Sequence, residues 1–346
     1  MTKRGPVLLL MLMAVVMHGA EPVSPITKQP VVIPDSLLTY KFLVSGHWYG
    51  ASTSRSGFPA STVLGNVEKF NATGASFFLL TGDIFQNAKS DQARYTSALY
   101  DRLHIPLFNA VGNHDLDGGY YTGLFGSTSM QMEFYGDRYI ILDTERDDSS
   151  IKGDQLAMLE TAAADAEAGK LRYIFITSHR PIWAEAGNYA DLFPNNTRSV
   201  AGCNYDSEVL PLIRRMMKHA EVFWVAGSMG GTAVSSILFE TPEPKLHYVM
   251  SSIRDEARDA VLLAEVGPDS VRWEAIGLTG KWVGPVHEYN AAWWRANAGR
   301  PTGFEWKLLP YYFKSTVLHR AFWIGAGSTL FLVMLVRALL RRRRAG

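Results

Sequence analysis

The sequence predicts an α/β protein, and three observations carry the prediction. Apolar runs of strand length alternate with helical stretches from Thr39 to Gly227. Polar residues suited to metal or acid–base chemistry stand where several of those runs end, which is where open α/β sheets build sites. After Thr232 the pattern turns to strands alone, as far as about Ile276.

In chain order, TYKFLVSG (39–46) reads as a strand, STVLGNVEKFNATG (61–74) as a helix and SFFLLTGD (76–83) as a strand. SDQARYTSALYDRL (90–103) reads as a helix and PLFNAVGN (106–113) as a strand. MQMEFYGDRYIILDT (130–144) is expected to form a hairpin turning at Gly136-Asp137, followed by a helix over 153–169. KLRYIFITSH (170–179) is a strand, SEVLPLIRRMMKHA (207–220) a helix and VFWVAG (222–227) a strand. Four more strands follow, at AVSSILFE, KLHYVMSS, AVLLAEV and SVRWEAI.

The two ends have a different character. Residues 1–20 place Lys3 and Arg4 before an apolar run from Pro6 to Met17, the pattern of a signal peptide cleaved after Ala20. Residues 21–36 carry four prolines and read as an extended lead-in. Residues 321–340 are long and apolar enough for a transmembrane helix, and the tail 341–346 holds Arg341 to Arg344. The positive-inside tendency makes that tail cytoplasmic and puts the body outside the cytosol, in a periplasm, at a cell surface or in a secretory lumen. Residues 281–320 are rich in Trp and Tyr, which suits either the membrane surface or packing on the domain.

Composition narrows the classes. Hydrophobic residues make up 47% and charged residues 19%, enough for a sizeable core and against disorder. A net charge of +1 gives no basis for a nucleic-acid partner. The single cysteine, Cys203, excludes an intrachain disulfide.

The strand ends present His47, Asp83, the Asn113-His114-Asp115 triplet and His179. Carboxylate, amide oxygen and imidazole together suit a divalent ion such as Zn, Mn or Fe. The order Gly82-Asp83, then Gly112-Asn113-His114-Asp115, then His179 before Arg180-Pro181, resembles the calcineurin-like metallophosphoesterases. Within them, YGDRYIILDT, GDQLAMLE and SHRPIW resemble the purple (tartrate-resistant) acid phosphatases, and the likeness runs from about Lys41 to about Ile276.

That resemblance implies a four-layer α/β/β/α sandwich over 37–280. It implies Asp83 as the carboxylate bridging two metals, Asn113 and His179 as ligands of the second, and His114 as the acid that protonates the leaving group, oriented by Asp115. The sequence also departs from the family. The closing motif, a glycine followed by two histidines one residue apart, is Gly227-Ser228-Met229-Gly230 here. Gln86 stands where that branch has a metal-binding tyrosine, and the first motif reads Ser45-Gly46-His47 in one register or Gly46-His47-Trp48 in the other, either of which leaves only His47. The first metal position then keeps His47 and Asp83, and the second keeps Asp83, Asn113 and His179. The expectation is one divalent cation at most, or none. Two functions follow: a membrane-anchored phosphoesterase acting on a phosphate ester through a depleted site, or a catalytically inactive ectodomain that binds a protein partner.

Overall fold

The computed structural model describes residues 21–33, 39–51, 54, 56–185, 187–299, 306, 309–318 and 320–345. The expected signal peptide at 1–20 lies outside them. Two sheets stack face to face. The first contains β1 (Tyr40–Ser45), β2 (Phe77–Leu80), β3 (Leu107–Asn109), β10 (Ala260–Val266) and β11 (Val271–Gly277), in the order β11-β10-β1-β2-β3. The second contains β4 (Met130–Phe134), β5 (Asp137–Ile141), β6 (Tyr173–Thr177), β7 (Glu221–Ala226), β8 (Ile237–Glu243) and β9 (Leu246–Ser251), in the order β4-β5-β6-β7-β9-β8. β1, β2 and β3 run parallel, as do β5, β6, β7 and β9; the remaining strands pair antiparallel at the flanks.

These strands are apolar on both faces because both faces are covered. The alternation of a pleated strand sends Phe42, Phe77, Phe108, Tyr139, Phe175 and Phe223 between the sheets. Phe42 stacks on Phe77 at 5.2 Å and Tyr139 on Phe175 at 4.6 Å. Their neighbours Leu43, Phe78 and Leu80 face a helical layer through Val63, Phe70 and Tyr95. On the far side Ile174, Ile176 and Trp224 meet Leu159, Ala163 and Ile213 from the helices Gly153–Glu167 and Leu210–Met216. The result is the expected α/β/β/α sandwich.

Three local expectations change. The hairpin turns at Tyr135-Gly136, not Gly136-Asp137, because Phe134 pairs with Asp137. Tyr135 and Gly136 both have positive φ (52° and 81°), as a two-residue turn of this hand requires. The lead-in is not simply extended: Val23 bridges Pro30, and Ser24 Oγ donates to the Leu107 carbonyl at 2.7 Å. The aromatic-rich segment divides. Trp294 is buried and donates Nε1–H to the Ile237 carbonyl at 2.9 Å, whereas Trp282 (80%) and Trp306 (74%) are exposed. The chain ends in the helix Arg320–Ala345, whose stretch Arg320–Arg342 is long and apolar enough to cross a membrane and is not buried against the domain. The basic cluster continues this helix.

A polar bridge ties the sheets together at the start of their strands. Asp137 on β5 receives the Arg172 guanidinium at 3.0 and 2.7 Å and the Tyr40 hydroxyl at 2.9 Å, with Tyr139 2.8 Å from Tyr40. Burial pushes the Asp137 carboxyl up to about 6 against the pull of Arg172. Asp137→Ala would leave Arg172 and the Tyr40 hydroxyl without their shared acceptor. The expected loss is about 2 kcal/mol in chemical unfolding of the full chain in detergent micelles, less than for a fully buried pair, because the Arg172 side chain is 31% exposed. Arg215→Ala, which breaks an exposed pair with Glu167, should change the midpoint little. Equal costs for the two would deny the bridge its role.

Candidate metal centre

The site is built where strands of both sheets end. His47 follows β1, Asp83 follows β2, His114 follows β3 and His179 follows β6; the Gly227–Gly230 loop follows β7. They converge because glycine occupies the contact points. A Cβ at Gly46 would stand 2.2 Å from Thr81 Oγ1, at Gly227 2.3 Å from the same atom, and at Gly112 2.2 Å from Asp83 Oδ1. No side chain fits at those distances. His47 and Asp83 themselves sit in the left-handed region (φ 54° and 56°), a conformation that costs L-residues energy and gathers at functional sites.

Three of the predicted ligands meet. His47 Nε2 and His179 Nε2 each lie 3.6 Å from Asp83 Oδ2, and the ligand atoms all fall within 4.8 Å of one another. At 3.6 Å these are not hydrogen bonds. They are instead close to the edge of a tetrahedron of ligands about a Zn-sized ion, roughly 3.4 Å for bond lengths near 2.1 Å. His179 Nδ1 lies 2.8 Å from the Thr81 carbonyl. A carbonyl only accepts, so Nδ1 carries a hydrogen, and Nε2 is the nitrogen turned toward Asp83. Both ring nitrogens of His47 are buried without a hydrogen-bond partner among the described residues.

The charges agree with this arrangement. Burial holds the His47 imidazole well below its ordinary pKa, hence neutral and able to ligate. Burial also opposes ionisation of Asp83, but His179, His47, His114 and the His114 amide outweigh it and hold the carboxyl below its usual value. The Tyr49 hydroxyl adds a weak contact with Asp83 at 3.4 Å.

The remaining predicted residues follow β3. Asn113 opens the short helix Asn113–Leu116 and is exposed; among the described residues its side chain shares no hydrogen bond with Asp83, His47 or His179. His114 is half-buried beside the cluster, its ring 5.0 Å from that of Tyr49. The resemblance made Asp115 the group that orients His114, but its carboxylate is spent on the backbone. It accepts from the amides of Asp83 (2.9 Å), Gly112 (2.9 Å) and Phe85 (3.1 Å) and from Asn109 Nδ2 (3.1 Å). The Gln86 carbonyl, 2.8 Å from Nδ1, holds the His114 ring instead. Asp115 therefore stitches the Asp83 turn to the end of β3, and burial pushes its carboxyl up to about 6.

The departures from the family pattern have structural uses. Ser45 Oγ accepts from Trp48 Nε1 at 3.2 Å, and the Gln86 amide donates to the Ser54 carbonyl. Ser228 is buried, with its amide on the His179 carbonyl at 2.8 Å, and Met229 packs into the core beneath the outer helices. Gly230 has φ 76°, and a Cβ there would lie 2.8 Å from Pro194.

Sequence reasoning missed Tyr49, Arg254 and Asp259. Tyr49 lies two residues beyond His47 in the same strand-end run. Arg254 and Asp259 occupy the loop after β9, another strand end of this type. Asp259 is fully buried and accepts from Thr62 Oγ1 (2.8 Å), the Arg254 amide (3.0 Å), the Glu256 amide (3.1 Å) and Ser236 Oγ (3.2 Å).

Burial pushes the Asp259 carboxyl up to about 7, with its hydrogen bonds opposing. The folded protein thus keeps this proton to about pH 7, while the unfolded chain releases it near pH 4. Stability present below about pH 4 is therefore lost as pH rises to about 7. Asp115 and Asp137, raised to about 6, add to the lower part of that slope. Asp259→Asn should flatten the upper part, between about pH 6 and pH 7, in thermal unfolding followed by circular dichroism. An unchanged slope there would show that Asp259 is ionised in the folded protein.

No protein-family model matches the sequence, and no curated protein matches it. Among solved structures the chain is similar to GAP50, the anchor in the inner membrane complex of Plasmodium. The TM-score is 0.50 at 10% identity, covering 79% of this chain and 94% of that one. At that identity the likeness is one of fold: this chain shares the architecture of GAP50.

Proposed function

We propose that this chain is a membrane-anchored protein of phosphoesterase fold whose centre takes a single divalent cation, Zn, Mn or Fe, on His47, Asp83 and His179, and presents it to a phosphate ester. One observation carries the reading: two imidazoles, one with Nδ1 on the Thr81 carbonyl and one with both nitrogens unpartnered, flank a buried carboxylate at ligand spacing. Buried polar atoms without partners are costly, and a cation would satisfy them. Three protein ligands are the number of a catalytic rather than a structural zinc site.

When bound, such a cation supplies Lewis-acid polarisation of a phosphoryl oxygen. The protein's own groups do the rest. Asp83 provides the one formal negative charge of the centre, and Thr81 fixes the His179 tautomer. His114, with Nδ1–H on the Gln86 carbonyl, keeps Nε2 free to exchange a proton with a leaving group. The exposed face of Asn113 and the burial of Ser228 support a second reading, an inactive ectodomain that binds a protein partner. The description of GAP50 as an anchor supports it too.

Metal analysis of the purified full chain in detergent tests the centre. At most one equivalent is expected, and His179→Ala should abolish it. Ser228→His should raise occupancy, because Ser228 lies beside the cluster without the backbone strain of Gly230. Hydrolysis of an aryl phosphate should be slow, rise with occupancy and fall by about 100-fold or to background in His114→Ala. Absence of metal from both the wild type and Ser228→His would favour the partner-binding reading.

The apolar helix Arg320–Arg342, with arginines at its far end, supports a single-pass anchor with the domain outside the cytosol. Trp282 and Trp306, exposed on the segment between domain and helix, suit the membrane interface. Protease added to intact cells, or to sealed vesicles with the extracytosolic face outward, should digest the domain and spare the basic tail. Digestion of the tail from the same side as the domain would overturn this orientation.

A further inference from the structure

Arg254 is a buried cation for which the fold provides no carboxylate. It is 5% exposed, and among the described residues no acidic oxygen lies within ion-pair distance of its guanidinium. Its Nη2 donates to the Gly230 carbonyl, and its Nε is buried without a partner. The preceding residue fixes its place. The Ile253 amide donates to the Gly46 carbonyl at 2.9 Å, so Ile253-Arg254 runs beside Gly46-His47. Its charge acts on both His47 and Tyr49, which flank Asp83. A buried, unpaired guanidinium is expensive unless an anion completes it.

The side of the centre that Arg254 borders is the side with the fewest metal donors. Gly230 and Ser45, the residues where the resembling family carries ligands, bring none, and Arg254 is hydrogen-bonded to the first of them. A guanidinium there supplies a fixed positive charge with forked donors, which matches the geometry of a tetrahedral oxyanion. We infer that Arg254 is an oxyanion-binding residue, holding inorganic phosphate or the phosphoryl group of a monoester at the edge of the His47–Asp83–His179 cluster. Positive charge that a second cation would have contributed comes instead from the chain itself. The inference takes the phosphate class of the ligand from the preceding reading, but it does not require the cation.

The test is phosphate binding by the full chain in nonionic detergent, measured by calorimetry after chelation and again with one equivalent of Zn. Wild type should bind inorganic phosphate in both conditions. Arg254→Gln should weaken binding at least tenfold in both while leaving metal stoichiometry unchanged. Arg254→Lys, which keeps the charge and loses the fork, should weaken it at least threefold, and it decides the matter if Arg254→Gln fails to fold by circular dichroism. Loss of metal in His179→Ala with phosphate binding retained after chelation would separate the two sites and support the inference. Reconstitution in phosphatidylcholine vesicles with and without phosphatidic acid distinguishes the source of the phosphate. Competition by phosphatidic acid in wild type would assign the site to a lipid headgroup, and its absence to a soluble phosphate. Equal phosphate affinity in wild type and the folded variants at matched metal content would overturn the inference. So would the absence of phosphate binding by wild type in both conditions.

Discussion

The approach of strand ends around Thr81 and Asp83 is the constraint on which this molecule is arranged. Two sheets that pack through a thick aromatic layer would ordinarily leave their edges apart. Here Thr81 of the first sheet accepts from the His179 ring of the second and meets the Cα of Gly227 directly. Gly46, Gly82, Gly112 and Gly227 are the residues that allow it, since any Cβ at those points would collide with a neighbour. The Asp115 carboxylate then locks the turn in place through three amides. Asp83 and His47 are held in left-handed backbone conformations by this framework rather than by their own preference.

That framework explains why the centre keeps its geometry although several donors are missing. The residues in the altered positions are structural in their own right: Ser45 on Trp48, Gln86 on Ser54, Met229 in the core. Each of these side chains has a place in the fold, and the His47 imidazole is left without a hydrogen-bond partner among the described residues. The polarity of the centre is also unusual. A single carboxylate lies between two imidazoles, with the Arg254 guanidinium acting on His47 beside it.

Much of the fold was legible because strand and helix periods are local properties. FFLL and YIFIT read as buried strands and are buried at every position. The strand-end residues His47, Asp83 and His179 were legible for the same reason, since each follows an apolar run directly. What escaped was set by distant partners. The hairpin turn moved by one residue because Asp137 is drawn inward by Arg172 and Tyr40, which lie far away in sequence. The role of Asp115 was hidden because amides, invisible in a sequence, are its partners. Arg254 carries no motif, and only the pairing of its loop with Gly46 brings it to the centre.

Gly230 limits what the loop after β7 can carry. Its positive φ and the ring of Pro194 against it mean that a bulky residue is excluded twice over, once by its own backbone and once by its neighbour. A histidine placed at this position would meet the Pro194 ring and disturb the loop whose Gly230 carbonyl accepts from Arg254. Position 228 carries no such bar. The two positions of one loop therefore differ in what they admit: position 230 is closed to a side chain by its backbone and by Pro194, whereas position 228 already carries one.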